Sequence, residues 1–376
     1  TIFSLLCFPL GKKAVFCYWG SWAIYRSGVG AHTIRNIIPQ YCTHVVYSFA
    51  GINLSGELDS LNPNEDIGND GFKSFVRLKN KYPCVKFLLA VGGWNEGSEK
   101  FSLMVENEKS RTKFVEKVMQ FMVYFGFDGL DLDWEYPASR GGLPEDKQNF
   151  IMLLKDLKQK LKSRNRILTA AVSASMSVIN AGYEIREMCA ELDFVSIMGY
   201  DLNDPEKASI HSPLHPEYNE PNNRDTIHSA IRAFITNGCP NSKIVLGIPA
   251  YGRTYTLKNK SAIAPGSDVS GPGKSGPYTK ENGFLGYNEI CKMLMEQKGW
   301  KTQLLSRNAA KYSWKDYQWV SYDDAETVLL KATYVHNEQL AGVMIWSIDT
   351  DDFHGMCFNQ SYPLLLAVNR GLRNPV

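Results

Sequence analysis

Eight short, almost uninterrupted apolar runs recur along the chain: AVFCYW from Ala14, THVVYSFA from Thr43, KFLLAV from Lys86, GLDLDW from Gly129, ILTAAVS from Ile167, FVSIMGY from Phe194, KIVLGIPAY from Lys243 and GVMIWSI from Gly342. Strands that lack polar alternation suit a parallel sheet buried on both faces. Helical patterns lie between most of them. Phe114, Val118, Phe121, Met122 and Phe125 recur at spacings of three and four, as do Phe150, Leu153, Leu154, Leu157 and Leu161, which places each set on one helix face. Strands alternating with helices predict an α/β fold, a (β/α)8 barrel, with a doubly wound sheet as the competing arrangement.

The interval from Lys243 to Gly342 is much longer than the others. It holds a Gly/Pro/Ser-rich stretch, APGSDVSGPGKSGPY, a helix-like LGYNEICKMLMEQKGW and the Tyr/Trp-rich KYSWKDYQWVSY. This composition predicts a small α+β insertion subdomain between strands 7 and 8, over residues 254–317, perched on a barrel built from 14–253 and 318–376. Residues 1–13, with the apolar TIFSLLCFPL, read either as the remnant of a secretory leader or as the lead-in to the first strand.

Composition excludes several function classes. Lys and Arg number 41 against 39 acidic residues, a net charge of +2, and no basic run interleaved with aromatics appears, so no nucleic-acid partner is expected. No stretch approaches the ~20 apolar residues of a bilayer span, so no membrane partner is expected either. Residues Gly271 to Gly276, GPGKSG, match a dinucleotide fingerprint by letter. Pro272 and Pro277 interrupt it, and the spacing of a phosphate loop fails because Asp268 stands where that loop needs Gly. The eight cysteines show no CxxC and no Cys/His cluster, which argues against zinc. Sequons at Asn53, Asn259 and Asn359 are compatible with a secretory route.

One apolar run is anomalous. FDGLDLDWEYP, residues 127–137, carries four carboxylates. On a strand, Asp131, Asp133 and Glu135 share one face while Leu130, Leu132 and Trp134 share the other. Successive carboxylates are then roughly 6 to 7 Å apart at the backbone, near enough to couple. A solvated loop is hard to reconcile with the alternating Leu and Trp, and calcium prefers more oxygen ligands than this row supplies. At the C-terminal mouth of a barrel strand, a carboxyl kept protonated by like-charged neighbours is what a general acid requires. Asp128, at the strand entrance, reads as structural.

DGLDLDWE resembles the signature of glycoside hydrolase family 18, the chitinases and chitinase-like lectins. FCYWGSW from Phe16, CTHVVYSFAGIN from Cys42, KFLLAVGGWNEGS from Lys86, VSASMSVINAGY from Val172, IMGYD from Ile197, GIPAYGRTY from Gly247 and GVMIWSIDTDDF from Gly342 resemble that family's other barrel strands in order, from about Ala14 to Arg370. The resemblance implies a retaining, endo-acting chitinase in which Glu135 protonates the glycosidic oxygen. Asp133 would pair first with Asp131 and then with the substrate's 2-acetamido group, whose carbonyl oxygen attacks the anomeric carbon. Tyr200 would hydrogen-bond the acetamido group, with Met198 and Asp201 beside it. Trp346 would floor the subsite where the sugar distorts. Tyr18, Trp22, Phe49 and Trp94 become candidates for the remaining cleft, with core packing the alternative for Phe49 and Trp22, and Tyr251 and Arg253 would bridge toward the insertion. No cofactor and no metal is implied; the partner is chitin or its oligosaccharides, and a monomer is expected.

The resemblance further implies disulfides Cys17–Cys42 and Cys291–Cys357, hence an extracellular, secreted protein. Cys7, Cys84, Cys189 and Cys239 are left as buried thiols or a further pair. The chain departs from the family after strand 6, where MGYDLNDPEKASIHSPLHP has Gly199 in place of Ser, Thr or Ala and lacks a Gly-x-Trp. A stacking platform on the reducing-end side is therefore expected to be missing, and no chitin-binding module is expected after residue 376. The alternative reading is a chitooligosaccharide-binding lectin; lectin-like members typically lack the acidic Glu, which is present here.

Overall fold

The computed structural model describes residues 13–217 and 225–375. The leader reading and Cys7 fall outside the described residues. Eight parallel strands close a barrel: β1 (Ala14–Gly20), β2 (His44–Ile52), β3 (Lys86–Gly92), β4 (Gly129–Asp133), β5 (Ile167–Ser173), β6 (Phe194–Met198), β7 (Ile244–Pro249) and β8 (Gly342–Trp346). Each pairs in parallel with its successor, and β8 pairs with β1 through Ala14 opposite Gly342 to Cys17 opposite Ile345. The doubly wound alternative is excluded, because an open sheet would leave β1 and β8 unpaired.

Strand alternation divides the core in two. Leu130, Leu132 and Trp134 face outward into a large cluster with the helical Phe114, Val118, Phe150 and Leu154, and Trp134 stacks on Phe101 with ring centroids 5.0 Å apart. A second cluster fills the barrel with Phe16, Tyr18, Val46, Leu88, Ala90, Ala171, Val245 and Met344. A continuous apolar run is required because each strand buries both faces. On β4 alone the inward face is acidic.

The insertion between β7 and β8 is a curled antiparallel sheet. Its strands are ordered Lys301–Leu305, Ala310–Lys315, Gln318–Tyr322, Tyr251–Leu257, Ser267–Pro272 and Lys207–Ala208, with Phe284–Gly286 paired to Tyr251–Leu257. Lys207–Ala208 belongs to the loop after β6, so that loop docks on the insertion. The helix Tyr287–Glu296 is tied back to the loop after β8 by Cys291–Cys357. Cys17–Cys42 joins β1 to the residues entering β2. Cys189 and Cys239, left open in the sequence, are bonded to each other, and Cys84 is disulfide-bonded as well.

Candidate active site

The acidic row lies at the C-terminal end of β4 as the alternation requires, with Asp131 and Asp133 inside the strand and Glu135 two residues beyond. Gly92 and Gly93 let this end approach β3. Both have positive φ, and a Cβ on Gly92 would lie 2.2 Å from the Asp133 carbonyl oxygen, which accepts a hydrogen bond from the Gly93 N–H at 2.7 Å. Asp128 is structural: it accepts from Lys79 Nζ at 2.7 Å and from the Phe87 N–H at 2.9 Å, holding the strand entrance to β3.

The three carboxylates differ in their partners. Asp131 accepts from the Tyr18 hydroxyl at 2.7 Å and from the Thr169 hydroxyl. Burial nevertheless pushes it up to about 6, against those two bonds. Asp133 is buried and its Oδ1 has no hydrogen-bond partner among the described residues. Burial, then the neighbouring Glu135 and Asp131, holds it well above the usual carboxylate range. Glu135 is pushed up to about 7 by burial and further by Asp201, while the Tyr136 hydroxyl and Arg140 pull the other way. Asp133 and Glu135 cannot both ionise cheaply at this spacing, so the pair retains a proton near neutral pH.

Tyr200 and Met198 lie in the same barrel cluster. The Tyr200 hydroxyl has only a weak partner, the Met344 thioether at 3.6 Å. A buried phenol that donates only to sulfur and a buried carboxylate oxygen with no donor are costly to leave so, roughly 1 to 3 kcal/mol each. Together they describe a cavity wall waiting for a ligand with both a donor and an acceptor. Asp201, next to Tyr200, has a left-handed φ of 57° and accepts two hydrogen bonds from Arg253, each 2.7 Å. Arg253 thereby joins the barrel mouth to the inserted sheet as expected.

The aromatic candidates separate into two kinds. Trp346 is half-buried and stacks near Phe49 at 5.5 Å, and Phe49 stacks on Trp22 at 6.0 Å. Trp22 at 43% and Trp94 at 59% exposure present ring surface to solvent, whereas Phe49 is buried against Gly93 and props Trp346 from behind. Tyr18 is not cleft surface, and Tyr251 packs toward the inserted sheet. Tyr18 is buried with its hydroxyl committed to Asp131, and Tyr251 is stacked on Phe284 at 4.7 Å. Burial of the ring was not legible from their positions at strand ends.

Sequence reasoning missed Thr169, Tyr136, Tyr183 and Arg140. Thr169 reaches Asp131 from β5, and Tyr183 supplies a buried hydroxyl that accepts from the Ser173 N–H at 3.1 Å. Only the YP following the acid hinted at Tyr136. The one grouping of candidate metal ligands among the described residues, Cys291, Asp352 and Cys357, has both sulfurs in a disulfide and offers no thiolate. The loop that lacks Gly-x-Trp is instead anchored on the inserted sheet, with Ala208 and Ile210 buried against it and Asn203 donating to the Tyr255 hydroxyl at 2.8 Å.

The family model for glycosyl hydrolases family 18 matches residues 14–351. Probable chitinase 2 of Drosophila melanogaster is 38% identical over 96% of this chain and 81% of its own length. The crystal structure of Ostrinia furnacalis Group IV chitinase in complex with allosamidin superposes with a TM-score of 0.94 at 38% identity, covering 96% of this chain and 99% of that one. Human YKL-39, a pseudo-chitinase with retained chitooligosaccharide binding, superposes with a TM-score of 0.88 at 33% identity, covering 96% and 100%.

Proposed function

The chain belongs to glycosyl hydrolase family 18, and on that premise we propose that it is a retaining, endo-acting chitinase that cleaves β-1,4-linked N-acetylglucosamine polymers and oligomers with help from the substrate. The observation that carries this reading is the Asp133–Glu135 pair: two buried, mutually opposed carboxyls, one with an oxygen that no donor among the described residues satisfies.

Glu135, protonated up to about pH 7, gives its proton to the glycosidic oxygen as the bond to the anomeric carbon breaks. The acetamido carbonyl oxygen forms the new bond to that carbon, giving an oxazolinium ion. Asp133 Oδ1 accepts the acetamido N–H and supports the positive charge, and the Tyr200 hydroxyl donates to the acetamido oxygen. Water, deprotonated by the now ionised Glu135, opens the ring with overall retention. Asp131, fixed by Tyr18 and Thr169, is the neighbour from which Asp133 turns. Trp346, propped by Phe49, carries the apolar face of the distorted sugar, with Trp22 and Trp94 along the cleft. The disulfides support a secreted protein working outside the cell, acting as a monomer.

A hydrolysis assay on N-acetylglucosamine oligomers tests the reading. Glu135→Gln is expected to lose roughly 10²- to 10⁴-fold in kcat while retaining oligomer binding, and early product from the native chain should be the β anomer by NMR. A native chain that binds oligomers without cleaving them would make it a lectin, and α-first product would exclude acetamido participation.

A further inference from the structure

We propose that Arg140 is a positioning residue that braces the Trp94 ring as the platform for the departing sugar. The proposal rests on the chitinase reading and extends it to a side chain with no place in the mechanism above. The Arg140 guanidinium carbon lies over the Trp94 ring, 3.4 Å from its centroid. Its Nη1 donates both to the Trp94 carbonyl oxygen at 3.0 Å and to the Glu135 carbonyl oxygen at 2.9 Å. One side chain therefore joins the backbone of the acid to the backbone and ring of an exposed tryptophan.

Trp94 needs such a brace. It is 59% exposed, and among the described residues no other aromatic ring packs against it, unlike Trp22, Phe49 and Trp346, which stack on one another. An unbraced ring would lose rotamer freedom each time a sugar stacked on it. With Arg140 covering one face, the ring is already ordered and the other face is left to the sugar. The chain bends to achieve this: Ala138 and Arg140 both take left-handed φ, 60° and 51°, which turns the segment after Pro137 back over the end of β4. Non-glycine residues hold that conformation only when contacts over-determine it.

Why the departing sugar follows from the acid. A general acid stands beside the leaving oxygen, so a platform tied to the acid's own residue carries the sugar that leaves. The loop after β6 contributes no tryptophan to this cleft, which leaves Trp94 to do it.

Kinetics with two substrates test the proposal. Chitotetraose has a leaving sugar; chitobiose oxazoline has none. Arg140→Ala should raise KM for chitotetraose roughly five- to tenfold and leave KM for the oxazoline within about twofold. Trp94→Ala should raise the same KM, and the double variant should be no worse than Trp94→Ala alone, since a brace has no effect without its ring. Arg140→Lys keeps the charge without the planar fork, so it should resemble Arg140→Ala in KM. It should match the native chain in the basic limb of the pH profile. Glu135 is faced by Asp133 and Tyr136 on its own segment, by Tyr183 after β5, by Tyr200 and Asp201 after β6 and by Tyr251 after β7, with Arg140 the nearby cation; removing that cation in Arg140→Ala moves the basic limb upward. An unchanged KM for chitotetraose, equal losses on both substrates, or simple additivity of the two alanine variants would overturn the brace. If the native chain turns over neither substrate the chitinase reading fails, and titrating Trp94 fluorescence with chitotetraose in the native chain and Arg140→Ala still decides the brace by a five- to tenfold difference in affinity or its absence.

Discussion

The end of β4 presents Asp131, Asp133 and Glu135, and the loop leaving β8 presents Asp349, Asp351 and Asp352; all six are buried. In the second group every carboxylate is answered. Asp349 pairs with Arg26 at 2.6 Å and accepts from the Gly20 N–H at 2.9 Å. Asp351 accepts from the N–H groups of Leu364, Leu365 and Asp352, and Asp352 from those of Met356 and Cys357. These acids fold the loop onto the last helix and onto β1. In the first group donors reach Asp131 and, through the Tyr136 hydroxyl, Glu135, but among the described residues none reaches Asp133 Oδ1. Burial acts on both groups; what separates a structural acid from a reactive one is whether the protein itself supplies the donors.

Substitutions at matching positions can break this contrast. Asp133→Asn should cost roughly 10²- to 10³-fold in turnover of chitin oligomers, yet leave the denaturation midpoint almost unchanged, because no protein donor is orphaned. Asp349→Ala should do the reverse. It strands the Arg26 guanidinium, itself mostly buried, and is expected to destabilise by about 3–5 kcal/mol in denaturant titration. The pair of measurements would dissolve the contrast if both variants behaved alike.

Two smaller effects sharpen it. Glu135 has a folded-state pKa of about 7, above its value in the unfolded chain. Its contribution to stability is therefore complete below the unfolded pKa near 4.3 and lost as pH rises through about 7. Glu135→Gln, which cannot ionise, should thus gain on the native chain as pH rises from 5 to 8, by about 1–3 kcal/mol at the upper end. Denaturation series at the two pH values check the sign. Tyr18→Phe removes one hydrogen bond to a buried carboxylate and should cost about 1–2 kcal/mol, with a loss of activity smaller than that of Asp133→Asn in the same assay.

Much of this was legible before any coordinates. The eight strands, the outward Leu130, Leu132 and Trp134, and the inward acids all follow from local periodicity, because a buried parallel strand cannot be written otherwise. The resemblance to the family placed Tyr200, Trp346 and Arg253 at the mouth. It offered Tyr18 as cleft surface, since a tyrosine near the end of a strand is compatible with either a stacking face or a committed hydroxyl. Nothing in the letters marked Arg140, which reaches Trp94 only because two left-handed residues reverse the chain.

Alternation along a strand is a property of neighbours in the chain, so the residue order alone determined that buried parallel strands would form and that one of them would turn carboxylates to one face, while closure into a barrel was decided by the pairing of β8 with β1. Hydrogen-bond satisfaction is a property of neighbours in space. The hydroxyl that answers Asp131 comes from Tyr18, 113 residues away, and the second from Thr169, 38 residues away. Only the closed tertiary structure could decide that Asp131 would be answered and Asp133 Oδ1 left without a donor among the described residues.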